Sequence, residues 1–170
     1  MVQTVVPCSK ETYVQTLQRF WKDRFTNQRV SGVINFHGNI ASQTTPEANT
    51  VYINGEEGNT IYMPEGSILT GTLTGTAVTP DGAMSVAAFV LEAERVVGGN
   101  VTATLTPKSD GTPATAAGTF SVAADTTLQA VLLQFTPVAS KPVAVKARLD
   151  VEGAAMGAST LLPTHVAAGN

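Results

Sequence analysis

The sequence predicts a mainly β protein, an antiparallel β-sandwich or jelly roll with one N-terminal amphipathic helix, and three observations carry that prediction. From Gly38 to Pro142 the chain is rich in Thr, Ala, Gly and Val, contains no His or Cys, and falls into short segments of period-two alternation. Gly, Pro, Asn and Asp clusters punctuate those segments at the spacing of two-sheet β domains. Only ahead of Phe25 does the apolar spacing become helical, so the period switches from 3.6 to 2 between Phe25 and Val33.

Ser9 is placed as an N-cap, and Tyr13, Leu17, Phe20 and Trp21 then recur on one helical stripe, with Gln15, Gln18, Arg19 and Lys22 on the other face. This predicts a helix over 10–25. Gly32 and Asn35 mark the change to extended chain. Thr50–Met63 reads as a hairpin, with Val51 and Ile53 alternating against Tyr52, mirrored by Ile61 and Met63 against Tyr62 across the turn Asn54–Asn59. In Ser67–Val78, Leu69, Gly71, Leu73, Gly75 and Ala77 alternate with Thr70, Thr72, Thr74 and Thr76. The Thr79-Pro80-Asp81-Gly82 turn returns the chain along Ala83–Glu92.

The glycines of the Thr-Gly-Thr-Leu-Thr-Gly-Thr run are expected to admit another backbone or an aromatic ring, or to mark a bulge or an edge strand. Further strands are expected at Val101–Thr106, Ala116–Val122, Leu128–Thr136 and Pro142–Glu152. In the last, Val143, Val145, Ala147, Leu149 and Val151 face inward against Lys146, Arg148, Asp150 and Glu152. The domain organisation that follows is an arm and helix over 1–35, a β domain over 36–152, and an extended tail over 153–170 in which Leu161 and Leu162 are the apolar anchor.

Composition bounds the function. A chain of 170 residues can bury a core without metal or disulfide staples, and the lone Cys8 cannot close an intrachain disulfide. Charged residues make up 14% of the chain, against ~25% in ordinary soluble domains, so part of the surface is expected to be covered by neighbouring subunits. The net charge of −3 gives no footprint for nucleic acid. Neither a signal peptide nor a membrane-spanning apolar run is expected, which reads as a product made in the cytoplasm. Residues 1–29 nevertheless carry Lys10, Arg19, Lys22, Arg24 and Arg29 against Glu11 and Asp23, a basic segment ahead of an acidic remainder.

The chemistry-bearing side chains argue against catalysis. His37 and His165 stand alone at opposite ends of the chain, without a second ligand at metal-site spacing. No nucleophile elbow, dinucleotide fingerprint or phosphate loop occurs, so no catalytic residue, metal or cofactor is expected. Glu56-Glu57 and the pair Glu92 and Glu94 are carboxylates at short spacing, the first on a hairpin tip where solubility or weak cation contact is the better reading than acid–base work. Tyr52 and Tyr62 are expected either to stack on sugar rings or to stabilise the hairpin by cross-strand packing.

The aromatic N-terminal segment Tyr13-Val14-Gln15-Thr16-Leu17-Gln18-Arg19-Phe20-Trp21, the strand Thr70-Gly71-Thr72-Leu73-Thr74-Gly75-Thr76 and the tail Gly153–Asn170 together resemble small virion proteins of tailed bacteriophages, most nearly head decoration, or cement, proteins. The resemblance is one of composition and spans most of the chain. It implies a non-enzymatic sandwich or jelly-roll protein, often trimeric, located in the virion and bound where subunits of the major capsid protein meet. A tail-tube, fibre or baseplate component is the rival within that class; a carbohydrate-binding or adhesive module using Tyr52, Tyr62 and acidic loop residues is the rival outside it. For assembly the expected interface is Tyr13, Leu17, Phe20 and Trp21 with Leu161 and Leu162, because interfaces favour aromatic over charged side chains.

Overall fold

A computed structural model describes residues 29–108 and 113–155, and every regular element among them is a strand. The ten strands are β1 (Arg29–Ile40), β2 (Asn49–Thr50), β3 (Ile61–Tyr62), β4 (Ser67–Val78), β5 (Met84–Arg95), β6 (Val101–Pro107), β7 (Ala114–Thr115), β8 (Gly118–Asp125), β9 (Ala130–Pro137) and β10 (Val143–Ala155). The larger sheet has the order β1-β10-β4-β5-β6, with β7 also paired to β5; the smaller has β9 at its centre, flanked by β8 on one side and by β2 and β3 on the other. All pairs are antiparallel. The expected helix over 10–25, the interface residues Tyr13, Leu17, Phe20 and Trp21, and Leu161 and Leu162 of the tail all lie outside the described residues.

The two sheets enclose one core because each long strand alternates cleanly. Leu69, Leu73 and Ala77 of β4, Ala87, Phe89 and Leu91 of β5, and Val143 to Val151 of β10 meet Phe120, Val131, Leu133 and Phe135 of the smaller sheet. Strand β4 spans the expected residues and is central, so its glycines do not mark an edge. Gly75 admits an aromatic ring from within the protein: a Cβ placed there would stand 2.5 Å from Cζ of Phe120. Phe120 in turn meets Phe135 edge-on at 4.9 Å and Phe89 at 6.3 Å, linking β8 and β9 to β5.

Both sides of the molecule are closed by chain that passes between the sheets. After β2, Val51 donates its N–H to the Leu133 carbonyl in the smaller sheet, and the chain then runs along β1 of the larger, with Asn54 donating to Asn35 and Phe36 bridging Ile53. The expected hairpin over 50–63 therefore does not form as such. Its two arms, β2 and β3, both pair with β9, and a bond from Ile53 N–H to the Asn59 carbonyl joins them near the turn. On the other side the chain leaves β7 in the larger sheet and enters β8 in the smaller. Buried Ser85 secures that crossing, its hydroxyl donating to the Gly118 carbonyl at 2.7 Å and accepting from Ala117 N–H at 2.9 Å.

Two boundaries shift outward. Strand β1 is continuous from Arg29, so residues 29–35 belong to the sheet, and β10 continues past Glu152 to Ala155. The reason is mutual pairing: Arg29 stands opposite Ala154, and Gly153 opposite Leu69, so each end has a ladder partner that local composition does not reveal.

The β4–β5 turn is tied down by side chains. The Thr79 hydroxyl accepts from Ala83 N–H at 3.0 Å and donates to the Asp81 carboxylate, which also takes the Lys141 ammonium from the β9–β10 connection. The Lys141 hydrogen bond, followed by that of Thr79, holds the Asp81 carboxyl down at about 2 against an ordinary 3.8. Its contribution to stability is therefore fully present above the ordinary carboxylate value and is lost as pH falls from there through about 2. Titration of the Asp81 carboxyl by NMR is expected to give a midpoint near 2, moving up toward the ordinary value in Lys141→Met.

Candidate functional site

Two surface depressions stand out, one on the outer face of each sheet. On the larger sheet, the register sets Asn39, Ala144, Val78 and Met84 side by side, with His37, Lys146, Thr76 and Val86 in the next row. All of these except Val86 line a shallow depression of about 520 Å³. Val78, Met84 and Val86 are 43%, 53% and 43% exposed, an apolar cluster that the core leaves uncovered. Sequence alternation in β5 is uninformative there, because its outward residues Met84, Val86, Ala88 and Val90 are as apolar as its inward ones.

Charge on this outer face is divided along the strands. The half near the β4–β5 turn carries Lys146 and Arg148; the other half carries Asp150, Glu152, Glu92 and Glu94. At the border Arg148 donates to Asp150 at 2.8 Å, a contact that raises the guanidinium pKa. Glu92 and Glu94 are outward neighbours on β5, opposite Thr70 and Ile68, and form part of an open sheet face. The His37 ring packs against Gly55, where an added Cβ would meet Cε1 and Nδ1 at 2.5 Å. His165 and Cys8 lie outside the described residues.

The second depression, about 440 Å³, lies on the outer face of the smaller sheet. Tyr52, Glu57, Leu132, Asp125 at the end of β8 and Leu128 from the β8–β9 turn line it, with Thr50 and Thr60 beside them. Tyr62 sits on the same outer face one row away, opposite Ala130, because β3 pairs with β9 and not with the Tyr52 segment. Glu56 is turned into its own loop, accepting from the Asn59 amide at 2.6 Å, whereas Glu57 is exposed at the rim. Asp125 is held by its turn: one carboxylate oxygen accepts from the N–H groups of Thr127 and Leu128, each at 2.9 Å. The sequence flags Tyr52 and Glu57 but treats Asp125 only as turn material; the pairing of β9 with β2 brings the two regions together.

Among the described residues no three His, Cys, Asp or Glu side chains gather as a metal site, and no helix is long and apolar enough to cross a membrane. Comparison with family models, curated proteins and solved structures gives no match.

Proposed function

We propose that the protein is a non-enzymatic virion component that binds and stabilises a phage capsid lattice, as decoration or cement proteins do, and that its two sheets form a β-sandwich. The consecutive β4, β5 and β6 lie next to one another in one sheet, an order that supports a sandwich over a jelly roll. The observation that carries the functional reading is the outer face of the larger sheet, five strands wide, threonine-rich and apolar over Val78, Met84 and Val86. Uncovered apolar patches of this kind mark interaction surfaces. The neighbouring Lys146 and Arg148 favour an apolar partner surface with an acidic rim, here assigned to the major capsid protein. The resemblance adds a homo-oligomer, with a trimer as the expected form, located in the virion.

Native mass measurement and electron microscopy of particles that co-purify with the protein test the reading. The expected result is an oligomer attached to capsids, with attachment abolished in the double variant Met84→Glu, Val86→Glu while its melting temperature stays within a few degrees of the parent, since both side chains point to solvent. A monomer at micromolar concentration without affinity for any capsid or tail particle removes it.

A further inference from the structure

We propose that the depression on the outer face of the smaller sheet is a binding site for a neutral saccharide. Sugar rings present flat C–H faces bordered by hydroxyl groups, so a site for them needs an apolar platform flanked by fixed hydrogen-bond acceptors. Tyr52 and Leu132, half-buried, and Leu128, 42% exposed, supply an apolar lining that the fold leaves open. Glu57 and Asp125 supply the acceptors.

Asp125 is preorganised, since the Thr127 and Leu128 N–H groups fix one of its oxygens at 2.9 Å and thereby fix the direction of the other. A carboxylate held in this way accepts hydroxyl donors without a further ordering cost. The volume, about 440 Å³, falls in the range of small-ligand sites and suits one or two sugar rings. Two carboxylates and no Lys, Arg or His in the lining select against phosphate, sulfate and uronic acids. The inference does not rest on the capsid reading, because the two depressions belong to different sheets and share no residue.

The test is titration of the full chain with maltotriose, cellotriose, chitotriose, mannotriose and trigalacturonate, followed by calorimetry and NMR. At least one neutral trisaccharide is expected to bind with Kd of ~1 mM or tighter, shifting the amide signals of Tyr52, Glu57 and Leu128. Tyr52→Ala and Leu128→Asp are each expected to weaken that binding by ~10-fold or more, and Glu57→Gln to weaken it less. Leu128→Asp changes an exposed side chain, so it stays informative if Tyr52→Ala unfolds. Val138→Ser, an exposed position just past the far end of β9 and outside the lining of the depression, should leave the affinity unchanged. Absence of binding by every neutral trisaccharide at ~10 mM, binding of trigalacturonate alone, or affinity unaffected by Leu128→Asp overturns the site.

Discussion

Phe135→Ala is expected to destabilise the protein by about 3–5 kcal/mol, the range for truncating a fully buried aromatic side chain. Phe135 has no exposed surface and sits on the central strand of the smaller sheet, so its loss leaves a cavity that β9, paired on both sides, cannot collapse to fill. It also removes the edge-on contact with Phe120 at 4.9 Å, worth about 0.5–1.5 kcal/mol beyond buried area. Urea denaturation followed by far-ultraviolet circular dichroism checks this: the midpoint should fall steeply while the slope stays close to the parent value. A loss below about 1 kcal/mol would place Phe135 outside the core, against the range for buried aromatics.

How much of this was legible in the sequence depends on whether the two faces of a strand differ. In β4 one face is Thr from Thr70 to Thr76 and the other is Leu, Gly and Ala from Leu69 to Ala77, so its buried side is readable without a structure. Strand β10 is the same case, with charged residues marking the outside from Lys146 to Glu152. In β5, Ser85 aside, both faces are apolar as far as Val90, and the uncovered cluster at Met84 and Val86 is therefore invisible until pairing is known. A period-two pattern locates strands, but which face is solvated follows from the partner sheet.

Pairing itself was the least legible property. The segments around Val51 and Ile61 have local hairpin signals, yet each contributes only a two-residue strand, and each finds more bonding opportunity along the eight residues of β9 than along the other. A long strand offers a ladder whose register is fixed by its own buried side chains, Val131, Leu133 and Phe135. That choice also assembles the candidate saccharide site. Tyr52 stands beside Leu132, and Asp125 opposite Ala130, only because β2 and β8 share β9 as their neighbour. No local pattern around Asp125 announces this, since an Asp that closes a turn and an Asp that lines a cleft have the same sequence context.

Gly75→Val is expected to cost about 3 kcal/mol, the upper part of the overpacking range, and Gly75→Ala about 1–3 kcal/mol. Val is the better strand former, so intrinsic propensity opposes this direction and the whole loss is steric. The added Cβ meets Cζ, Cε2 and Cε1 of Phe120 at 2.5, 2.6 and 3.0 Å, and the ring cannot retreat freely because Phe135 and Phe89 stand against it. Shortening the obstructing side chain should relieve the clash. In the cycle formed by Gly75→Ala and Phe120→Leu, the double variant is expected to lose less than the two single losses combined, with a coupling of about 0.5–3 kcal/mol. Thr74→Val, the neighbouring change on the solvent face, should alter stability by less than about 0.5 kcal/mol, which separates a packing effect at position 75 from a general sensitivity of β4. If Gly75→Ala were neutral, or its cost were unchanged in the Phe120→Leu background, the ring would not be seated on Gly75 and the close approach of the two sheets at this point would be wrong.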